Sequence, residues 1–242
     1  MPLIRYPILQ HAYVVNDIDT AMREWTDTTG AGPFWLSRNH YGRQHTYRGQ
    51  PWNEPLHYAF GGTGPTHVQL IQQDSSTPSI YRDMYGPGEE GFHHIAVLVP
   101  EAEHAAEVKR FQDAGFEVAS TLGSYVDVAY VDCRDAIGCF VELHGANQTI
   151  YDLFELFRSS HEDWDGATDP VRARPQPRPP NPRLTAHGNA LGMARGQVPG
   201  QFGHDPLWLN QDLGHSCYQR VLDKLGKRVR KDNGLLRRQS IE

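Results

Sequence analysis

The chain has 242 residues and a net charge of −6, with an ordinary soluble composition, so it can form one or two domains with a real core. No apolar run reaches the about 18 residues that a membrane helix needs, and the start "MPLIRYPILQ" lacks the apolar stretch of a secretory signal. Three cysteines are too few for a disulfide framework. These features predict a cytoplasmic protein with no membrane contact.

The charge is distributed unevenly along the chain. Residues 1–168 contain ten Lys and Arg against 23 Asp and Glu, whereas residues 169–242 contain 13 against six. The acidic part disfavours nucleic acid as a ligand, and the basic part is typical of a different kind of segment.

The first half of the chain predicts one strand, one helix and three further strands. Alternation favours a strand over residues 8–15, with His11, Tyr13 and Val15 on one face. "DIDTAMREWTDTTG" predicts a helix that Asp17 or Asp19 caps and Gly30 ends. Three more strands are expected near residues 33–38, 56–60 and 66–72, before a polar connector over 74–90.

The same order of elements follows in the second half. "FHHIAVLV" predicts a strand, "EAEHAAEVKRFQDAG" a helix, and "FEVAST", "DVAYVD" and "CFVELHG" three strands. Two copies of one unit, at about residues 7–73 and 91–145, indicate two similar modules packed into one domain.

The remainder of the chain is predicted to contain a helix, followed by a Pro-rich and basic segment. A helix is expected near residues 149–158. Six prolines between residues 170 and 182 predict an extended linker. We therefore place the domain at residues 7–174, with a Pro-rich linker and basic tail of unassigned role over 175–242.

Aligning the two copies pairs His11 with His94 and Gln69 with Glu142. If both sheets curl around a shared cleft, one polar side chain from each of four strands converges there. Two imidazoles, one carboxylate and one amide oxygen form a plausible site for a divalent metal. We therefore predict a metal site of His11, Gln69, His94 and Glu142.

Strand alternation assigns faces to the neighbouring histidines. It places His67 on the face of Gln69 and His144 on the face of Glu142, so both are candidates for acid–base work. It directs His93 to the face opposite His94, which predicts a structural role for His93.

These segments resemble the vicinal oxygen chelate superfamily, which includes glyoxalase I, methylmalonyl-CoA epimerase, extradiol dioxygenases and bleomycin-resistance proteins. The resemblance rests on "HAYVVNDIDTAMREW", "VQLIQ", "GFHHIAVLV" and "GCFVELHG". It implies an α+β fold of paired βαβββ modules, whose curled sheets surround a metal-binding cleft, followed here by a C-terminal extension. The order His, Gln, His, Glu most resembles the epimerase and glyoxalase I branch.

The resemblance implies a metal-dependent lyase, isomerase or epimerase. A divalent ion, Zn, Co, Ni or Mn rather than Fe, would chelate a small substrate and stabilise an enolate as a proton leaves the carbon beside a carbonyl. The base would be Glu142, as supposed for glyoxalase I, or Glu54, which falls roughly where the epimerases carry a catalytic carboxylate. The expected binding partner is a small-molecule substrate rather than nucleic acid or a membrane. Whether the protein forms a homodimer stays open at this point.

Aromatic side chains near the predicted strands are candidates for a substrate pocket. Tyr13, Trp35 and Tyr58, with Phe34 and Phe60, could line the cleft, although aromatic residues at such positions more often form plain core.

Two other functions stay open. His11, His94 and Glu142 alone would satisfy the two-histidine, one-carboxylate triad of an Fe(II)-dependent dioxygenase, with Gln69 counting against it. A non-catalytic protein that sequesters a ligand is the second alternative, and such members usually lack the complete metal set.

Overall fold

A computed structural model describes residues 2–123 and 125–175 of the chain. The first module contains β1 (Ile8–Val14), α1 (Ile18–Thr29), β2 (Phe34–His40), β3 (Arg43–Tyr47), β4 (Gln50–Pro51), β5 (Leu56–Gly62) and β6 (His67–Gln72). The second contains β7 (Gly91–Pro100), a 3-10 turn (Glu101–Glu103), α2 (His104–Asp113), β8 (Val118–Gly123), β9 (Asp127–Asp132), α3 (Arg134–Ile137) and β10 (Phe140–Ala146). After it come α4 (Gln148–Glu162) and β11 (Val171–Ala173).

All these strands form one curled sheet in the order β11-β2-β5-β6-β1-β7-β10-β9-β8-β3-β4. β2 and β3 lie near opposite ends of that order, yet only residues 41 and 42 separate them in the chain. Because three peptide links span at most about 11 Å, the two ends of the sheet must approach each other. The sheet therefore has a concave inner face and a convex outer face.

Helix α1 packs on the outer face of the first module. The Asp17 side chain accepts a hydrogen bond from the Thr20 N–H at 2.7 Å and caps the helix, and Gly30, at φ 74°, ends it. Of the two predicted caps, Asp17 is therefore the one used. Ile18 and Met22 are buried among residues of β5 and β6.

Helix α2 packs in the same way on the second module. Phe111 is buried against Val97, Val131 and Val141 on the outer face. Glu107 of α2 is also buried, and it forms ion pairs with Arg5 and Arg110.

The inner face carries the third cluster of buried side chains. It receives Leu153 and Phe157 of α4, and Phe157 stacks on Phe60, so the last helix covers part of the concavity. Apolar burial at about 25 cal/mol per Å² makes this contact a stabilising one.

The predicted α+β fold of paired modules and curled sheets is confirmed, and two local expectations are corrected. The hairpin β3–β4 was not predicted, because its edge strands pair only with each other and with β8. The polar connector contains buried Ile80 and Tyr81, which complete the inner cluster. The basic tail, apart from Pro175, lies outside the described residues.

Among the helices of residues 2–123 and 125–175, none is both long and apolar enough to span a membrane.

Candidate active site

Polar side chains lie in two adjacent cross-strand rows on the inner face of the sheet. One row runs through positions paired in register, namely Phe60, Gln69, Ala12, His94 and Phe140. The next runs through His67, Gln10, Ala96, Glu142 and Tyr130. Paired residues of neighbouring strands point to the same face, so both rows face the concavity.

The centre of the site is a buried pair. The His94 Nε2 and Glu142 Oε2 atoms are 2.9 Å apart, and the two residues are 0% and 4% exposed. Burial is the largest effect on the pKa of Glu142 and would raise it, but the hydrogen bond and charge of His94, aided by His144 and Tyr130, lower it. The carboxylate is therefore held ionised inside the protein.

His93 extends this pair into a chain of three groups. Its Nε2–H donates to the Ile80 carbonyl at 2.9 Å, and its Nδ1 lies 2.9 Å from the Nδ1 of His94. Burial lowers the pKa of His93 well below 6.5, so this ring is neutral and its Nδ1 can only accept. The His94 Nδ1–H is then the donor to His93, so the 2.9 Å contact with the ionised Glu142 needs a further proton, which lies on the His94 Nε2 and is shared with the carboxylate.

The position of His93 corrects the expectation that it faces away from His94. Tyr13 is opposite Phe92 and Ala12 is opposite His94, so His93 is an extra residue in β7. A β-bulge of this kind interrupts alternation and lets two consecutive side chains face one side. Both rings consequently lie at the inner cluster, where His93 stacks on Phe140 at 5.0 Å.

A second pair mirrors the first across the two modules. The Gln10 Nε2 donates to the Gln69 Oε1 at 2.9 Å. In the first module Gln69 lies opposite Ala12, and in the second Glu142 lies opposite Ala96 in the same way. Likewise Gln10 lies opposite His67 in the first module, and His94 lies opposite Phe140 in the second. Gln10 is therefore the counterpart of His94, and its buried Oε1 has no hydrogen-bond partner among the described residues.

His11 does not join the site, contrary to prediction. It is one residue past Gln10 in β1 and points to the outer face, where its ring lies 6.4 Å from that of Phe92. The two copies had been aligned on their histidines, which shifted the register by one residue. The face that each residue of β1 takes is set by the pairing of this strand with β6 and β7.

The side chains present do not fit the predicted metal site. The predicted ions Zn, Co, Ni and Mn favour three or more imidazole, thiolate or carboxylate ligands. Within the described ranges, no group of three or more His, Cys, Asp or Glu side chains is placed to hold a metal. His94 and Glu142 supply one imidazole and one carboxylate, and Gln10 and Gln69 add only neutral amides.

The other predicted acid–base residues lie in different surroundings. His67 is buried against Phe154 and Phe157 of α4, and burial lowers its pKa to about 4. His144 is half-buried, donates from Nδ1 to the Gly145 carbonyl at 2.7 Å, and has a pKa lowered mainly by burial.

Glu54 lies in the loop before β5, where its Oε1 accepts from the Thr77 Oγ1 at 3.2 Å. Within the described residues, no hydrogen bond connects it to His94 or Glu142. A role for Glu54 as the base therefore has no contact to support it.

The predicted pocket residues divide between the two faces. Trp35 and Tyr58 belong to the inner cluster. Tyr13 packs on Trp25 at 4.8 Å and on Phe92 at 5.5 Å, on the outer face, because it alternates with Ala12 and Val14. Tyr13 is thus not a lining residue.

Sequence analysis named Tyr58 but missed two further tyrosines beside Glu142, Tyr81 and Tyr130. The Tyr58 and Tyr81 hydroxyls are 3.2 Å apart, and Tyr130 lies opposite Glu142 with its ring 5.2 Å from that of His94. Burial raises the pKa of all three phenols well above 10.0, so they stay protonated. The apolar spacing of Ile80, Tyr81, Met84 and Tyr85 was the signal within the connector.

Comparison with solved structures finds similar chains of low identity. A hypothetical protein from Bacillus halodurans is 17% identical with a TM-score of 0.44, and the match covers 60% of this chain and 97% of that one. Methylmalonyl-CoA epimerase from Mycobacterium tuberculosis is 16% identical with a TM-score of 0.44, and the match covers 62% and 93%. A single-residue variant of Streptomyces coelicolor methylmalonyl-CoA epimerase, in complex with 2-nitronate-propionyl-CoA, is 17% identical with a TM-score of 0.39, and the match covers 58% and 97%.

No curated protein matches the chain significantly. Residues 9–130, half of the chain and most of both modules, match the family described as the glyoxalase, bleomycin resistance protein and dioxygenase superfamily. With its paired modules and curled sheet, the chain belongs to the Glyoxalase/Bleomycin resistance protein/Dioxygenase superfamily.

Proposed function

We propose that this protein is a proton-transfer enzyme, an isomerase, epimerase or lyase, that acts at a carbon beside the carbonyl of a small substrate. Glu142 is the base. The observation that carries the proposal is the buried chain of His93, His94 and Glu142 on the inner face. This chain of groups holds the ionised Glu142 carboxylate on the concave face of the curled sheet.

Proton abstraction needs a base, a group that orients this base, and hydrogen-bond donors that stabilise the negative charge developing on the enolate oxygen. Glu142 takes the proton, and the electron pair of the broken C–H bond moves to give an enolate. His94 orients the carboxylate and shares its proton. The Tyr130 hydroxyl and the Gln69 amide N–H lie in the rows beside Glu142 and are candidates to stabilise the enolate oxygen.

The outcome depends on where the proton returns. Return to the opposite side of the same carbon gives epimerisation, and return to another atom gives isomerisation. Loss of a leaving group from the neighbouring carbon gives elimination. Each step conserves electrons and needs neither oxygen nor a redox cofactor.

Isotope exchange tests this proposal. The protein is incubated anaerobically in deuterated water with 2-oxo acids, 2-hydroxy thioesters and hemithioacetals, and deuterium beside the carbonyl is measured by NMR. We expect Glu142→Gln to lower the exchange rate at least about 100-fold, because general-base catalysis contributes about 10²–10⁴. Glu101→Gln, at an exposed position directly after β7, is the control and should exchange normally.

Metal dependence is a separate arm of that experiment. The donor set of one imidazole, one carboxylate and two amides favours exchange that persists in a chelator. Exchange that appears only after addition of Zn, Co, Ni or Mn would contradict this part of the proposal. Turnover of catechols that requires oxygen and Fe(II) would replace the whole proposal with the dioxygenase function.

A non-catalytic binding protein is the second candidate, and one observation favours it. Phe154 and Phe157 of α4 cover His67 on the inner face, so part of the concavity is apolar and lined by aromatic rings. Micromolar binding of a hydrophobic ligand with no deuterium exchange for any substrate would support this function instead.

A further inference from the structure

One arginine at the inner face is not explained by the proton-transfer chain. Arg174 follows β11, and its backbone N–H donates to the Leu36 carbonyl at 3.0 Å. Its guanidinium carbon lies 4.9 Å from the centre of the Phe60 ring. Phe60 is opposite Gln69 in the row that leads to His94, so the guanidinium lies at the same face as the candidate site.

The charge of Arg174 reaches the catalytic groups. Burial is the main cause that lowers the pKa values of His144 and His40, and the positive charge of Arg174 lowers both further. Burial lowers the pKa of Arg174, and the phenols of Tyr125 and Tyr58 and the carboxylate of Glu142 raise it in return. An anion bound by Arg174 would therefore lie within electrostatic range of Glu142.

The guanidinium differs from other arginines of the protein in its partners. Arg48, Arg134 and Arg158 each form ion pairs with carboxylates. In the described part of the chain, no carboxylate pairs with Arg174 and no side-chain hydrogen bond is formed by it. Burial lowers its pKa below 12.5, because the charged form is disfavoured away from water.

We propose that Arg174 binds a carboxylate of the substrate, so that the substrate is a small oxo acid that carries one negative charge. This rests on the proposed function for the identity of the reacting carbon. A guanidinium offers a planar fork of N–H donors that matches a carboxylate. Within the described residues, the contact with Phe60 leaves those donors free to bind it.

The charge count favours a monoanion over a phosphate or a CoA ester. Arg174 supplies one positive charge, and the pair of Glu142 and His94, which shares one proton, is neutral overall. A dianion or polyanion would leave negative charge uncompensated beside the base, which is costly in a buried site. A single carboxylate is balanced.

The test is calorimetric binding of two acids, 2-oxobutyrate and phenylpyruvate, and of their methyl esters, to the full-length protein. We expect the acids to bind and the esters to bind at least about ten-fold more weakly, which is about 1.4 kcal/mol, because an ester cannot form the charge-assisted pair with the guanidinium. Arg174→Gln should remove this preference, and Arg174→Lys, which keeps the charge without the fork, should retain part of it. Inorganic phosphate is expected to compete poorly.

Arg172→Gln is the matched control, because Arg172 lies in β11 two residues before Arg174. Its guanidinium carbon likewise lies over a ring, 5.5 Å from the centre of Trp35, but its Nε–H donates to the Asp169 carbonyl. It should leave the preference for the acids unchanged, and thermal melting confirms that each variant is folded. Equal binding of acids and esters, no binding of either acid, or an equal loss in both arginine variants would overturn the proposal.

Deuterium exchange separates this inference from the proposed function. Binding that depends on Arg174 without any exchange would retain the carboxylate site and reject proton transfer. Exchange in neutral esters that is insensitive to Arg174→Gln would retain proton transfer and reject the carboxylate site.

Discussion

At the scale of single residues, the β-bulge at His93 decides the chemistry of the site. It brings two consecutive imidazoles to one face, so that a neutral His93 accepts from His94 and fixes which nitrogen meets Glu142. A regular strand would have sent His93 to the outer face and left the Nδ1 of His94 without this acceptor.

The register of β1 gives a test at the same scale. We expect Gln10→Ala to lower deuterium exchange several-fold, because Gln10 bonds Gln69 on the inner face. His11→Ala should leave exchange within about two-fold, as an outer-face substitution away from the site. Rates for both variants are measured on the best substrate of the exchange experiment. A large loss in His11→Ala with none in Gln10→Ala would contradict the assigned faces.

His45 gives a pH-dependent prediction. It is buried, with its Nε2 3.2 Å from the Ser120 Oγ, and burial lowers its pKa from 6.5 to about 4. The unfolded chain then binds more protons between pH 6.5 and 4, so stability is lost as the pH falls through this range. Between about pH 7 and 5 this one group should cost about 1–2 kcal/mol of unfolding free energy.

Urea denaturation of the wild type and of His45→Gln at both pH values measures that contribution. The variant should lose less stability on acidification than the wild type, because the other buried histidines are common to both. An identical loss in the two proteins would show that His45 does not titrate as described.

At the scale of elements, α4 is the part of the fold that closes the inner face. Its end approaches β5 so closely that a Cβ at Gly62 would collide with the side chain of His161, and His161 Nδ1–H donates to the Gly32 carbonyl at 2.7 Å. Phe157 is 0% exposed and stacks on Phe60 with centroids 5.3 Å apart. The helix is thus an integral wall of the candidate site.

Truncation of Phe157 tests this role. We expect Phe157→Ala to lower the unfolding free energy by about 3–5 kcal/mol, through lost burial and the cavity that remains. The neighbouring Leu156 is half-buried, so Leu156→Ala should cost less than half as much. Chemical denaturation of both variants gives the comparison, and equal costs would mean that α4 is not docked through Phe157.

At the scale of the whole molecule, the curled sheet and its helices close within one unit. Residues 2–123 and 125–175 belong to one compact unit. The three buried clusters lie among residues of this unit. The site, Arg174 and α4 are all contained in it.

This arrangement predicts the effect of a stop codon after Pro179. The shortened protein should unfold cooperatively within a few degrees of the full chain and keep its deuterium exchange, because its sheet, α4 and Arg174 remain. Calorimetry of both forms measures the melting temperature. Precipitation of the shortened protein, or a much lower melting temperature, would show that residues 180–242 contribute to the core or to an interface between copies.

Much of the fold could be predicted from the sequence because it is encoded locally. Alternation, the cap at Asp17 and the stop at Gly30 define β1 and α1, and the repeated order of elements predicts the paired modules. The hairpin β3–β4 carries no comparable signal, because its partner β8 lies far away in the chain. Its pairing exists only once the sheet has curled.

The candidate site likewise has residues that could be predicted from the sequence and residues that could not. Gln69, His94 and Glu142 were predicted on one face, because alternation within a regular strand is a local rule. Three other features depend on how strands from distant parts of the chain pair. They are the bulge at His93, the position of Gln10 rather than His11 on the inner face, and the approach of Arg174 to Phe60. The sequence by itself determined the two modules and most of the inner-face residues, whereas register and the closing of the sheet, both set by long-range hydrogen bonds, decided which side chains meet.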